Sequence, residues 1–371
     1  MAVTGSTRMQ ATSIQLCVLL TVLEIVAREL IGTDSKNIPA QFLASLEEQY
    51  ASLRSPELRA QLAKLVALEE KVYRGSNQNN YHANRFGIDV LTDTTERSPT
   101  YCTPPFRKFD DATATESWTF LFMPNDWTDT AWKNVLKRKP RCVEWSEEEI
   151  RALVPEEKVE RTLEIIGKIS STELMRFKIG INGLRYRSQG IGDCAVAVIS
   201  RKEDCEMHWK QLERAVKANA KAGQIYFGHL HSAETVMELE QRIPGCVTVF
   251  VPMSETIFLL DGVTRVAVKL VMNALSTCTM VRLGRMMGNY MVWVVPSNLK
   301  LIDRATRYIT KLTDLSYEAA NALLFEIIEY VEPRMKLDQA YPPVVRMAVL
   351  RAKDNLTNEQ AEAQLKQAAL S

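Results

Sequence analysis

The chain has 371 residues, enough for two domains, and its 46% hydrophobic and 25% charged content is that of a globular protein. Lys and Arg total 46 against 45 Asp and Glu, a net charge of +1, which excludes the basic footprint of a nucleic-acid or anionic-membrane binder. Seven scattered cysteines, odd in number and never spaced C-x-x-C, read as reduced thiols of a cytoplasmic protein.

The apolar run Leu16 to Leu23 ends at Glu24, Arg28 and Glu29 and is too short to span a membrane. No small-residue cleavage site follows it, and the apolar pattern continues helically through Ile25, Val26 and Leu30, so a buried helix is expected over Ser13 to Ile31. Leucines at amphipathic spacing predict further helices between Pro39 and Glu70. Runs rich in β-branched and aromatic residues predict strands at Ser117–Met123, Arg176–Ile181, Cys194–Ser200, Cys246–Pro252 and Tyr290–Val295. Helical segments separate them, at Glu147–Lys168, opened by the capping-box pair Ser146 and Glu149, and at Glu203–Ala222. Apolar strands alternating with helices imply an α/β fold whose sheet is mainly parallel and covered on both faces. After Val295 three helical stretches are expected, Leu299–Thr313, Tyr317–Val331 and Pro343 to the end, with Thr357 and Gln360 forming another capping box.

Gly5-Ser6-Thr7-Arg8 precedes an apolar helix, and Gly262-Val263-Thr264-Arg265 precedes another 257 residues later, which suggests a duplicated domain. The first copy offers free N–H groups, two hydroxyls and a guanidinium, the donors a phosphate dianion needs; alternatively Ser6 or Thr7 caps the helix and Arg8 is solvated. Glu96, in the polar segment Thr94 to Tyr101, is either a general base or acceptor for sugar hydroxyls, or one half of a surface pair with Arg97. Lys269 stands in the apolar run Val263 to Leu275 and requires an anionic partner or a route to solvent. His229 and His231 form an H-x-H pair with no third ligand nearby, so no metal is expected, and His82 and His208 read as structural or exposed. Asp193 is expected to shape a turn. There is no P-loop, nucleophile elbow or dinucleotide fingerprint, and no cofactor is expected.

The segment Lys269 to Thr277, continuing through Met280 to Val292 and Asn298 to Ala305, resembles the N-acetylmuramic acid 6-phosphate etherases and glucokinase regulatory proteins. Thr4 to Met9 is similar to that family's second signature, and Asp93 to Tyr101 to its glutamate-bearing segment. The resemblance implies a sugar-isomerase-type (SIS) fold: a remnant of a first SIS domain with connecting helices over 1–70, a SIS domain over 71–298 and a helical domain over 299–371. It implies a phosphosugar ligand, such as fructose 6-phosphate or N-acetylmuramic acid 6-phosphate, contacted by Ser6, Thr7, Arg8, Glu96 and Lys269. A regulatory or sensing binder, with a sugar kinase as partner, is one expectation. A carbon–oxygen lyase with Glu96 in proton transfer is another, although no second catalytic acid is matched and Gly75 to Arg85 stands where the family has a compact glycine loop. A structural half that pairs with a separately encoded SIS chain is the third, and it would expose apolar surface on the Ser13 to Ile31 helix.

Overall fold

A computed structural model describes residues 7–140, 145–229, 238, 240–336 and 341–370. The described strands are β1 (Asn79–Ala83), β2 (Thr119–Phe122), β3 (Cys194–Ser200), β4 (Lys221–Gly228) and β5 (Val247–Pro252). They form one parallel sheet in the order β2-β1-β3-β4-β5, with Tyr81 paired to both Leu121 and Val196. Every residue of β1, β2 and β3 is buried, as a sheet covered on both faces requires.

The chain divides into two compact units. The larger, Leu20–Thr94 with Phe106–Met272, holds the sheet. Neighbouring residues on a strand face opposite ways, and Gly223 and Gln224 of β4 show what covers each side. A Cβ on Gly223 would lie 2.9 Å from Leu65 of α3 (Pro56–Arg74), whereas Gln224 accepts from the indole of Trp209 on α9 (Glu206–Lys217) at 3.4 Å. Ala195, Ala197 and Ile199 of β3 pack on Trp209, Leu212 and Ala215 of α9 to fill one of these layers.

Two strands that the sequence left unmarked complete the sheet. Gly75 to Arg85 contains β1, whose polar Asn79 and Asn80 are buried with one side-chain hydrogen bond each, leaving Asn79 Oδ1 and Asn80 Nδ2 without a partner. Glu69 of α3 accepts from Asn79 Nδ2 (2.9 Å), Tyr73 (3.0 Å) and Tyr81, and Arg187 Nε donates to Asn80 Oδ1 at 2.5 Å. The helix expected to reach Ala222 stops at Lys217, Asn219 turns left-handed (φ 65°), and β4 starts at Lys221. Two expected strands are absent. Arg176–Ile181 runs alongside the end of β2, its Ile179 carbonyl accepting from Met123 N at 2.7 Å, and leads into a 3-10 turn over Ile181–Tyr186. Tyr290–Val295 forms only a bridge between Met287 and Tyr290; its apolar residues serve burial rather than pairing. Pro155 divides Glu147–Lys168 into α6 (Glu147–Leu153) and α7 (Glu156–Gly167), and the Ser146–Glu149 capping box is present. Asp193 shapes its turn by accepting from Gly190 N (2.8 Å) and Gln78 N (3.0 Å).

The smaller unit is Met1–Leu19, Thr95–Pro105 and Asn273–Ser371. Its helical end comprises α11 (Leu299–Leu312), α12 (Tyr317–Lys336), α13 (Val344–Asp354) and α14 (Asn358–Leu370), packed around Ala305, Ile309, Leu324, Ile327, Val331, Val345 and Ala348. Asn298 caps α11 by accepting from Leu301 N at 3.1 Å. The last expected helix is two, because Asn355 turns left-handed (φ 50°) and the Thr357–Gln360 capping box opens α14. Three helices contribute to both units: α1 (Thr7–Leu30), α4 (Gly87–Tyr101) and α10 (Gly262–Arg282). No described helix is long and apolar enough to cross a membrane. The architecture is α/β, a parallel sheet flanked by helices with a helical C-terminal segment, as a SIS-type fold requires.

Candidate functional site

From β1 the chain crosses to β2 on one side and then returns past β1 to β3, so the winding direction reverses between β1 and β3. Parallel α/β sheets carry their ligand crevice at the carboxyl ends of the strands at such a reversal. Here the crevice is bordered by Asn84–Gly87, which lead into α4, and by Ser200–Glu203 after β3. Glu203 ties the two borders together, accepting from Ser200 N at 2.7 Å and Arg85 N at 3.1 Å. The free N–H groups of a helix N-terminus favour an anion, and α4 opens at this point.

Cations gather around it. Asp261, left-handed (φ 59°) just before α10, meets Arg85 Nε and Lys202 Nζ, each at 3.0 Å, and Thr264 Oγ1, also at 3.0 Å. Burial opposes ionisation of Asp261, but the hydrogen bonds and charges of Lys202, Thr264 and Arg85 outweigh it and hold the carboxyl below its ordinary value. Arg265 Nη1 lies 2.5 Å from Asp89 Oδ2 in the first turn of α4. Burial pushes the Asp89 carboxyl up to about 6 against the pull of Arg265 and Lys269.

Beside these pairs is a cavity of about 280 Å³ bordered by Asn84, Arg85, Ile88, Asn134, Lys137 and Arg265. Asn134 Nδ2 donates to Asn84 Oδ1 at 2.8 Å, and Asn134 Oδ1 accepts from Lys137 Nζ at 2.8 Å. Lys137, left-handed at φ 56° behind α5 (Thr128–Leu136), forms no ion pair among the described residues. Burial, then repulsion from Arg265 and Arg85, lowers its ammonium's affinity for the proton. An anion entering the cavity would relieve that repulsion.

The residues expected to bind a ligand are distributed unevenly. Ser6 lies outside the described residues, and Thr7 and Arg8 open α1 in the smaller unit. Glu96 is half-buried on the second half of α4, also in the smaller unit, and its neighbour Arg97 is only 2% exposed, so the two are not the solvated pair that remained an alternative. Lys269 is buried in the larger unit, and its charge, with that of Arg265, draws the Asp89 carboxyl down against the effect of burial. His231 lies outside the described residues, and His229 Nδ1 lies 2.8 Å from the Met253 carbonyl. His82 and His208 are both buried; His208 Nε2 is 3.3 Å from Glu203, close enough for an ion pair but not aligned for a hydrogen bond. Sequence reasoning did not single out Arg85, Asp89, Lys137, Lys202 or Asp261. Arg265 carried a signal, since it stood in the repeated Gly-x-Thr-Arg motif.

Comparison with known proteins places the chain beside one group of enzymes over part of its length. It is 56% identical over 69 residues to the N-acetylmuramic acid 6-phosphate etherase of Gloeobacter violaceus, covering 18% of this chain and 22% of that protein. It is 47% identical over 70 residues to the enzyme of the same name from Prochlorococcus marinus strain MIT 9303, with the same shares. The etherase of Synechococcus sp. strain CC9605 is 38% identical over 113 residues, 29% of this chain and 31% of that protein. No family model matches. The chain therefore spans between about a fifth and a third of the length of these relatives, all of which bear the name N-acetylmuramic acid 6-phosphate etherase.

Proposed function

We propose that this chain binds a phosphorylated sugar, with the phosphate at the start of α4 among Arg85, Lys137 and Arg265. The observation that carries the reading is the cation-lined cavity of about 280 Å³ beyond the carboxyl end of β1, on the side of α5. Three cations and a helix N-terminus match a phosphate dianion, and the amides of Asn84 and Asn134 suit sugar hydroxyls. The resemblance adds Ser6, Thr7, Arg8, Glu96 and Lys269 as ligand contacts. The relatives' name favours an amino-sugar derivative, N-acetylmuramic acid 6-phosphate, over fructose 6-phosphate. A sensing role needs only these contacts, with a sugar kinase as the partner such a role implies.

A lyase acting on the same ligand is the second reading, and the etherase relatives support it as well as they support binding. Glu96 is the proposed proton-transfer residue of this reading, as the resemblance implies. A third reading draws on α1, where Val22, Leu23, Val26 and Leu30 are exposed and form an apolar face that a SIS partner chain would cover. Calorimetric titration with N-acetylmuramic acid 6-phosphate, alongside an enzymatic assay for released lactate, distinguishes these readings. Saturable binding without lactate supports the sensor; lactate release lost in Glu96→Gln supports the lyase. If neither occurs until a SIS partner chain is added, the third reading stands.

A further inference from the structure

The smaller unit contains a larger cavity of about 560 Å³, far from polar in its walls. Leu283 behind α10, Trp293, Tyr341, Pro343, Arg346 of α13 and Leu365 of α14 border it. Its size lies within the range of small-molecule sites, and its apolar walls do not suit a sugar. Glu362, the carboxylate on the wall, already accepts from Arg334 (2.8 Å) and Tyr330 (2.9 Å) and pairs with Lys366 (2.9 Å). Those donors, Arg334 first, hold its carboxyl well below the ordinary range, so it offers little to a cationic ligand.

On the wall, Arg346 calls for an acceptor and Trp293 is held in place. Arg346 spends one N–H on the Gly284 carbonyl (3.1 Å) and forms no ion pair among the described residues. Trp293 is held on one side by the Arg285 guanidinium, 4.2 Å from its ring, and Arg285 is itself fixed by the Tyr101 and Cys102 carbonyls at 2.5 and 3.1 Å.

We propose that this cavity binds an aromatic carboxylate, its ring among Leu283, Trp293, Pro343 and Leu365 and its carboxylate accepting from Arg346. The inference is independent of the phosphosugar reading, because the residues and the ligand chemistry are different.

The test is calorimetric titration of the full chain with 2-naphthoate and with its neutral amide. Saturable binding with one site per chain is expected, with the carboxylate preferred. Arg346→Gln should weaken 2-naphthoate about tenfold, about 1.4 kcal/mol, and leave the amide nearly unchanged. Leu365→Trp, which fills the cavity, should abolish binding while N-acetylmuramic acid 6-phosphate titrates as in the parent. Near-ultraviolet circular dichroism checks that each variant is folded. No saturable binding of either probe to the parent chain overturns the proposal. So does a folded Arg346→Gln or Leu365→Trp chain that binds 2-naphthoate as tightly as the parent.

Discussion

His82 provides a quantitative test of how the strand that positions the crevice is packed. The imidazole is 3% exposed on β1, stacked 5.8 Å from Phe122, and its Nε2 has no partner. Burial first, then repulsion from His208 and Arg214, lowers its pKa from 6.5 to about 3. The folded protein therefore keeps His82 neutral, while the unfolded chain takes up a proton near 6.5. Its stabilising contribution is complete above 6.5 and is lost as the pH falls from there toward 3. At about pH 5 the gap of roughly 1.5 units, at about 1.4 kcal/mol each, amounts to about 2 kcal/mol. His82→Leu removes the titration and keeps the site apolar. Urea unfolding of parent and variant at about pH 7.5 and pH 5 should show the parent losing about 2 kcal/mol more than the variant between the two conditions. Taking the difference between the two proteins cancels Asp89, which acts with the opposite sign. Equal losses in parent and variant would refute the assignment of a buried, neutral His82.

Asp89→Asn should tighten phosphate binding severalfold at neutral pH, because it removes the carboxylate that competes for Arg265; weaker binding measured by calorimetry would count against that competition. The same variant should lack the parent's gain in stability as the pH falls through about 6, the value to which burial raises Asp89. Arg187→Met should cost about 3 kcal/mol in urea unfolding, since the buried guanidinium satisfies Asn80 Oδ1 and the Ser117 carbonyl as well as pairing with Glu116. A loss under about 1 kcal/mol would mean these acceptors find water instead.

The strands that announced themselves were those whose side chains all serve burial. Val196, Val198 and Ile199 of β3 and Phe120, Leu121 and Phe122 of β2 form apolar runs that no surface segment would carry. β1 was hidden because its burial is polar: Asn79, Asn80 and His82 look like loop residues until Glu69, on the preceding helix, and Arg187, remote in sequence, each take up one group of an amide. β4 was hidden by Ala222 and Gly223, the first packed in the α9 layer and the second small because Leu65 packs where a larger side chain would go. The missing β1 concealed the site as well, since without it the sheet has no reversal, and Arg85 and Lys137 are ordinary basic residues in polar segments. Lys269 stood out because a cation in an apolar helix needs an explanation, and the structure buries it. Capping boxes at Ser146 and Thr357 were legible because they depend only on neighbours three residues away.

The central claim, that the chain binds a phosphorylated sugar through the cations around α4, is tested most directly by thermal unfolding with N-acetylmuramic acid 6-phosphate, fructose 6-phosphate and the corresponding unphosphorylated sugars. A ligand at 100 times its Kd should stabilise the protein by about 2.7 kcal/mol. The account predicts such a shift with a phosphorylated sugar, none with its unphosphorylated form, and loss of the shift in Arg85→Gln/Lys137→Gln. No shift with either phosphate, or one that persists in full in the double variant, would contradict it.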